Sequence, residues 1–176
     1  MAAEKKAPFV ILGVDPGFSV TGYAILKQDE TGKAFLLDYG YLKMSPKNHL
    51  SERVGEFYNC FSEKIKLYGV TQVSLETSFL GKNPQTFLKL GYLRGVLYLL
   101  ANQNNLGLLE FSPREIKMSV VGFGGATKDQ VAAMVLRLFP GLNKMAKIAK
   151  NDVTDALAIC VCGLWQKRQD LLQKMR

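Results

Sequence analysis

The sequence predicts an α/β domain, a mixed five-stranded sheet flanked by helices. Three observations point there. An unbroken apolar run from Phe9 to Val14 enters Asp15-Pro16-Gly17, as a buried central strand enters a turn. Short turns then join it to two further β-rich segments, which makes an antiparallel meander. After residue 50, segments of helical period alternate with short β-rich runs, the order expected of a sheet covered by helices.

The elements follow in turn. Thr21 to Leu26 reads as the second strand, Glu30-Thr31-Gly32-Lys33 as a hairpin turn, and Ala34 to Leu42 as the third strand. Ser51 to Tyr68 places Val54, Phe57, Tyr58, Phe61, Ile65 and Leu67 at helical spacing with charges between them. Val70 to Leu75 is a fourth short strand that delivers Glu76. Pro84, following Gly81, Lys82 and Asn83, suits the first turn of a helix running to Asn102. That helix is apolar on more than one face, and a helix of that kind is buried or pairs with another molecule.

Leu106 to Phe111 reads as the fifth strand. Ser112-Pro113-Arg114-Glu115 supplies an N-cap, proline at the first position and an acidic first turn. Thr127 caps a helix over 128–139, which stops at Pro140-Gly141. The last helix is expected to start at Lys150 or Asn151 and reach Trp165, with Gln166 to Arg176 a polar, fraying tail. Residues 1–176 read as one domain with its core over 8–166 and its tail over 167–176. There is no internal repeat and no low-complexity tract.

Composition narrows the function. The chain is 48% hydrophobic over 176 residues, enough for one substantial core and short for two. No apolar run approaches the roughly 20 residues of a membrane span, and no signal-peptide hydrophobic region precedes Val10. A soluble, cytoplasmic protein is expected. Cys60, Cys160 and Cys162 lack metal-site spacing and read as free thiols, buried in a reducing compartment. His49 is the only histidine, which excludes a two-histidine catalytic design and a His-rich zinc site; it is placed near the start of a surface helix. The net charge of +8 favours a polyanionic partner, though charge alone is weak support.

Within this basic chain, four acids adjoin apolar stretches: Asp15, Glu76, Asp152 and Asp155. Bringing them together is costly unless a cation binds them. Asp152 and Asp155, three apart at a helix start, share a face; acids in a first turn also serve the helix dipole. Asp-Pro-Gly is a common turn, but a carboxylate at the end of a central strand points into the cleft where α/β proteins place their chemistry. Glu76 arrives the same way. Carboxylate oxygens suit magnesium or manganese. Two such ions, about 3.5–4 Å apart, activate a water and stabilise the departing 3′ oxygen in an in-line phosphodiester displacement.

The chain resembles the bacterial RuvC family, Holliday-junction endonucleases of the RNase H-like superfamily. The resemblance rests on Gly13-Val14-Asp15-Pro16-Gly17, Thr21-Gly22-Tyr23, Glu76 followed by Phe79, and Lys82-Asn83. It continues through Leu88-Lys89-Leu90-Gly91, Arg94-Gly95, Val120-Val121-Gly122 and Asp152-Val153-Thr154-Asp155-Ala156-Leu157-Ala158, nearly the whole domain. It implies an RNase H-like fold, a homodimer, and Mg2+-dependent paired, symmetrical nicking of four-way junctions in homologous recombination and repair. The products carry 5′-phosphate and 3′-hydroxyl ends. Carried over by position, Asp15, Glu76, Asp152 and Asp155 are the catalytic metal ligands, for one or two Mg2+ ions per subunit with Mn2+ able to substitute. The RuvA–RuvB branch-migration motor is the implied partner. Asn151 receives no role.

Around these acids, Phe79 is read as an aromatic that stacks on an unpaired base, its polar and small neighbours leaving it exposed. Lys82, Lys117 and Lys128 are read as phosphate contacts, Lys128 at a helix N-terminus whose amides also favour phosphate. For Lys89, Arg94 and Arg114 simple solvation is the plainer reading. The helix from Pro84 carries the expected dimer surface. Two alternatives are weighed. An actin-like ATPase fragment shares an opening Asp-x-Gly, but this chain has no second such motif; a junction-binding protein that does not cut conflicts with four intact acids.

Overall fold

The computed structural model describes residues 8–77, 83–144 and 147–174. Strands β1 (Phe9–Asp15), β2 (Val20–Gln28) and β3 (Ala34–Lys43) form the expected meander; helix α1 (Leu50–Tyr68) leads to β4 (Gln72–Glu76). Helix α2 (Pro84–Gln103), β5 (Gly107–Phe111), α3 (Pro113–Val121), α4 (Lys128–Leu138) and α5 (Lys147–Lys174) complete the chain, a short 3-10 turn at Pro140–Lys144 preceding α5. The strand order is β3-β2-β1-β4-β5. β1 is therefore central, antiparallel to β2 and parallel to β4, which is parallel in turn to β5.

Alternation along β1 divides the core. Phe9 and Ile11 join the cluster built with α3, α4 and α5, while Val10, Leu12 and Val14 join the cluster with α1 and α2. The caps match their sequence signals. Asn83 accepts from Gln85 N and Thr86 N, Ser112 and Glu115 form a capping box, and Thr127 pairs with Gln130 in another. His49 is the N-cap of α1, its backbone N–H donating to Glu52. All three cysteines are free thiols, with Cys160 and Cys162 buried and Cys60 half-buried.

α2 carries apolar side chains around its circumference. Leu93, Leu97, Leu100 and Ala101 are buried against the sheet, whereas Phe87, Leu88, Tyr92, Tyr98 and Leu99 are exposed.

The last helix departs from the sequence reading at both ends. It begins at Lys147 rather than at Lys150 or Asn151, so Asp152 and Asp155 stand beyond its first turn, which holds no acid. They are not there to cap free amides. It also continues through the expected fraying tail to Lys174. No proline or left-handed residue interrupts that polar stretch, whose glutamines, lysines and leucines are good helix formers. The Lys167 ammonium lies 3.5 Å from the Phe9 ring centroid, seating this part of α5 on β1.

Candidate active site

Side-chain alternation decides where the strand-end acids point. Asp15 shares its face of β1 with Ile11 and Gly13, the α5 side. Glu76 shares its face of β4 with Ser74, whose hydroxyl donates to Ile159 O on α5 at 3.0 Å. Both strands therefore end in an acid directed toward the helix that carries Asp152 and Asp155. The parallel pairing of β1 with β4 runs Val14 beside Leu75, so Asp15 and Glu76 leave adjacent strands at the same level.

Two glycines let α5 come close enough. A Cβ on Gly13 would stand 2.5 Å from Ala156 O and from Cys160 Sγ, and one on Gly22 would stand 2.1 Å from Asp152 O. Gly22 is the cross-strand partner of Asp15. The helix thus rests on bare backbone beside the first acid, with the Cys160 thiol donating to Ala24 O at 3.2 Å. The turn after Asp15 is braced as well. The fully buried Thr21 hydroxyl accepts from Gly17 N and donates to Gly17 O at 2.8 Å.

Asp15, Glu76 and Asp155 line one pocket of about 230 Å³, walled also by Pro113, Ile116, Val131 and Ala158. Lys117 and Lys128 line it too, and Lys128 Nζ lies 3.2 Å from Asp155 Oδ2. Asp152 comes down on the β2 side, its main chain against Gly22. Phe79 and Lys82 lie outside the described residues. Asn151 is exposed, and its carbonyl accepts from the buried Thr154 hydroxyl at 2.9 Å.

The electrostatics are those of acids crowded without enough positive charge. Burial, then repulsion from Asp155 and Glu76, pushes the Asp15 carboxyl up to about 7, with Lys128 opposing. Glu76 is raised by burial and by Asp155; Asp152 is raised by the same two causes in the same order. Lys128 is held above the ordinary lysine value, chiefly by Asp155. Among the described residues, no three histidine, cysteine or acid side chains are closed to metal-holding spacing. The donor chemistry nonetheless suits a hard divalent cation: oxygen ligands from three elements, unfavourable when all are ionised, with an ammonium now standing beside one of them.

Sequence reasoning missed two arginines. Arg94 is tied down rather than solvated: its guanidinium donates to Glu76 O and pairs with Glu110, and its side chain is 11% exposed. Arg53 on α1 is buried, donates to Phe18 O in the turn after Asp15 and stacks 3.8 Å from the Phe18 ring centroid. The glycines inside β1 and β2 were a legible signal of close backbone approach. For the arginines the sequence carries none.

A central strand and its parallel neighbour ending in acids, with a long helix bringing two more across them, define an RNase H-like fold. Thermus thermophilus RuvC in complex with Holliday junction substrate shares it, with a TM-score of 0.82 and 26% identity over 92% of this chain and 96% of that one. The family model described as Crossover junction endodeoxyribonuclease RuvC matches residues 11–163. The protein of that name from Chloroherpeton thalassium is 44% identical over 155 residues, 88% of this chain and 81% of its own length. That from Legionella pneumophila subsp. pneumophila is 39% identical over 153 residues, 87% of this chain and 85% of its own length. The chain belongs to the RuvC family of crossover junction endodeoxyribonucleases. Among the described residues no helix is long and apolar enough to cross a membrane.

Proposed function

We propose that this chain resolves four-way Holliday junctions by paired, symmetrical nicks, with Asp15, Glu76, Asp152 and Asp155 holding one or two Mg2+ ions, or Mn2+ in their place. The observation that carries this reading is the pocket shared by Asp15, Glu76, Asp155, Lys117 and Lys128. When bound, the metal supplies Lewis-acid stabilisation of the charge that builds on the phosphate during hydrolysis. The protein's own groups do the rest. Asp15 and Glu76, fixed on strand ends, set the position of the ligand oxygens, and α5 sets the other two by resting on Gly13 and Gly22. Lys117 and Lys128 draw the phosphate backbone to the acids. Lys128, now 3.2 Å from Asp155 Oδ2, would be released toward a phosphate oxygen were a bound cation to compensate the acids in its place.

The chain acts as a homodimer that pairs through α2. Its exposed Phe87, Leu88, Tyr92 and Leu99 support this, as does an apolar groove between α1 and α2 formed by Leu50, Val54, Tyr92, Val96 and Leu99. Two-fold pairing sets two acid pockets on one junction. The RuvA–RuvB motor is the expected partner in the cell, and Phe79 and Lys82 are carried as DNA contacts on the resemblance.

The test uses a labelled four-way junction and a plain duplex, each with Mg2+ or EDTA. Cleavage restricted to the junction and to Mg2+ is expected, leaving 5′-phosphate and 3′-hydroxyl ends. Asp155→Asn is expected to bind the junction as the wild type does while cutting at least about 100-fold more slowly. Wild-type cutting by Asp155→Asn would sink the four-acid reading.

A further inference from the structure

The structure assigns to Arg94 the task of positioning Glu76: helix α2 reaches across the end of β4 and clamps the peptide on which that acid is carried. The inference rests on Glu76 being a metal ligand, as proposed above. It concerns what holds the acid in place.

The peptide joining Glu76 to Thr77 is held at both of its polar atoms. Its N–H donates to Phe111 O at 2.8 Å, which extends the β4–β5 ladder by one bond. Its carbonyl, Glu76 O, accepts from Arg94 Nη1. Fixing both ends of one peptide plane fixes ψ of Glu76, and so the direction from which its side chain enters the pocket. The clamp stands at the last pair of the β4–β5 ladder, Glu76 beside Phe111, and holds the carbonyl that the ladder bond from Thr77 N leaves to be satisfied.

The guanidinium is itself oriented before it reaches the carbonyl. Arg94 Nη2 pairs with Glu110 Oε1 on β5 and lies 2.9 Å from Tyr98 OH, one turn further along α2; Tyr98 OH in turn donates to Glu110 Oε1 at 2.8 Å. Each corner of this triangle contacts the other two. A planar fork can serve Glu110 and Glu76 O together, whereas an ammonium at the same place is a point charge that serves one geometry at a time. The arrangement is a supporting shell around a ligand, of the kind whose loss weakens metal binding without touching the metal.

The experiment compares Arg94→Lys, Arg94→Met, Glu110→Gln and Glu76→Gln with the wild type. Mn2+ binding is measured calorimetrically without DNA, junction affinity by gel shift in EDTA, and cleavage as a function of Mn2+ concentration in single turnovers. Arg94→Lys is expected to fold and to bind the junction within about twofold of wild type. Its Mn2+ affinity is expected to fall by about 10-fold or more, with the cleavage half-saturation moving in parallel. Arg94→Met should lose at least as much, and Glu110→Gln an intermediate amount, because the fork remains but loses its orienting partner. Should Arg94→Met prove unfolded, Arg94→Lys and Glu110→Gln carry the test. Wild-type Mn2+ affinity in Arg94→Lys, alongside its loss in Glu76→Gln, overturns the positioning role and leaves the acid assignment standing. Wild-type affinity in Glu76→Gln itself removes Glu76 as a ligand, and the inference with it.

Discussion

Asp15 carries its carboxyl at the end of a strand whose preceding residues, Ile11 to Val14, are all buried, with three other acids converging on the same corner. Its ordinary value of 3.8 is raised to about 7 by burial first and by Asp155, Glu76 and Asp152 after it, Lys128 opposing. Between those two values the folded protein binds a proton at Asp15 that the unfolded chain has released. Stability without metal is therefore full below the lower value and is lost as pH rises toward and through the upper one. Glu76 and Asp152, also raised, contribute in the same direction. In EDTA, the difference in melting temperature between Asp15→Asn and the wild type is expected to grow in favour of the variant from about pH 5.5 to about pH 8. Saturating Mg2+ should raise the wild type at the higher pH and the variant much less. A pH-independent difference between the two would show that Asp15 ionises normally in the fold.

Helix α5 delivers the other two acids, and its seat on β1 and β2 is a matter of missing side chains. Gly22→Ala would put a methyl group 2.1 Å from Asp152 O, which no rotamer change can relieve because the obstruction is main chain. The expected cost is about 1–3 kcal/mol in urea unfolding, with cleavage falling more than junction affinity because Asp152 is pushed off the sheet. Unchanged stability would mean that α5 does not lie where described. Much of this element-level arrangement was legible in the sequence. Apolar runs ending in Asp15 and Glu76 located the strand ends, and the three-residue spacing of Asp152 and Asp155 located a shared helical face. The start of α5 was not legible, because Lys147-Ile148-Ala149-Lys150 carries helix formers and no capping residue. Arg53 and Arg94 escaped for a different reason: an arginine within a helix reads as solvated until tertiary structure shows the carbonyl it meets.

At the scale of the whole molecule, the acid pocket and the exposed side of α2 belong to opposite faces of the sheet, since α5 covers one and α1 with α2 covers the other. The proposed pairing through α2 would leave the pocket of each copy open to DNA. Sedimentation at micromolar concentration is expected to give a dimer, and replacement of Leu88 and Leu99 by glutamate a folded monomer with its melting transition intact; a monomeric wild type removes the pairing. The alternation along β1 has one more consequence, which concerns descent rather than chemistry. Gain or loss of a single codon between Phe9 and Gly13 would carry Asp15 through to the α1–α2 side, although the chain's composition would barely change. A two-codon change would return it. Descendants of this gene can exchange one apolar residue for another in this strand, Gly13 excepted, but its length is held to even steps.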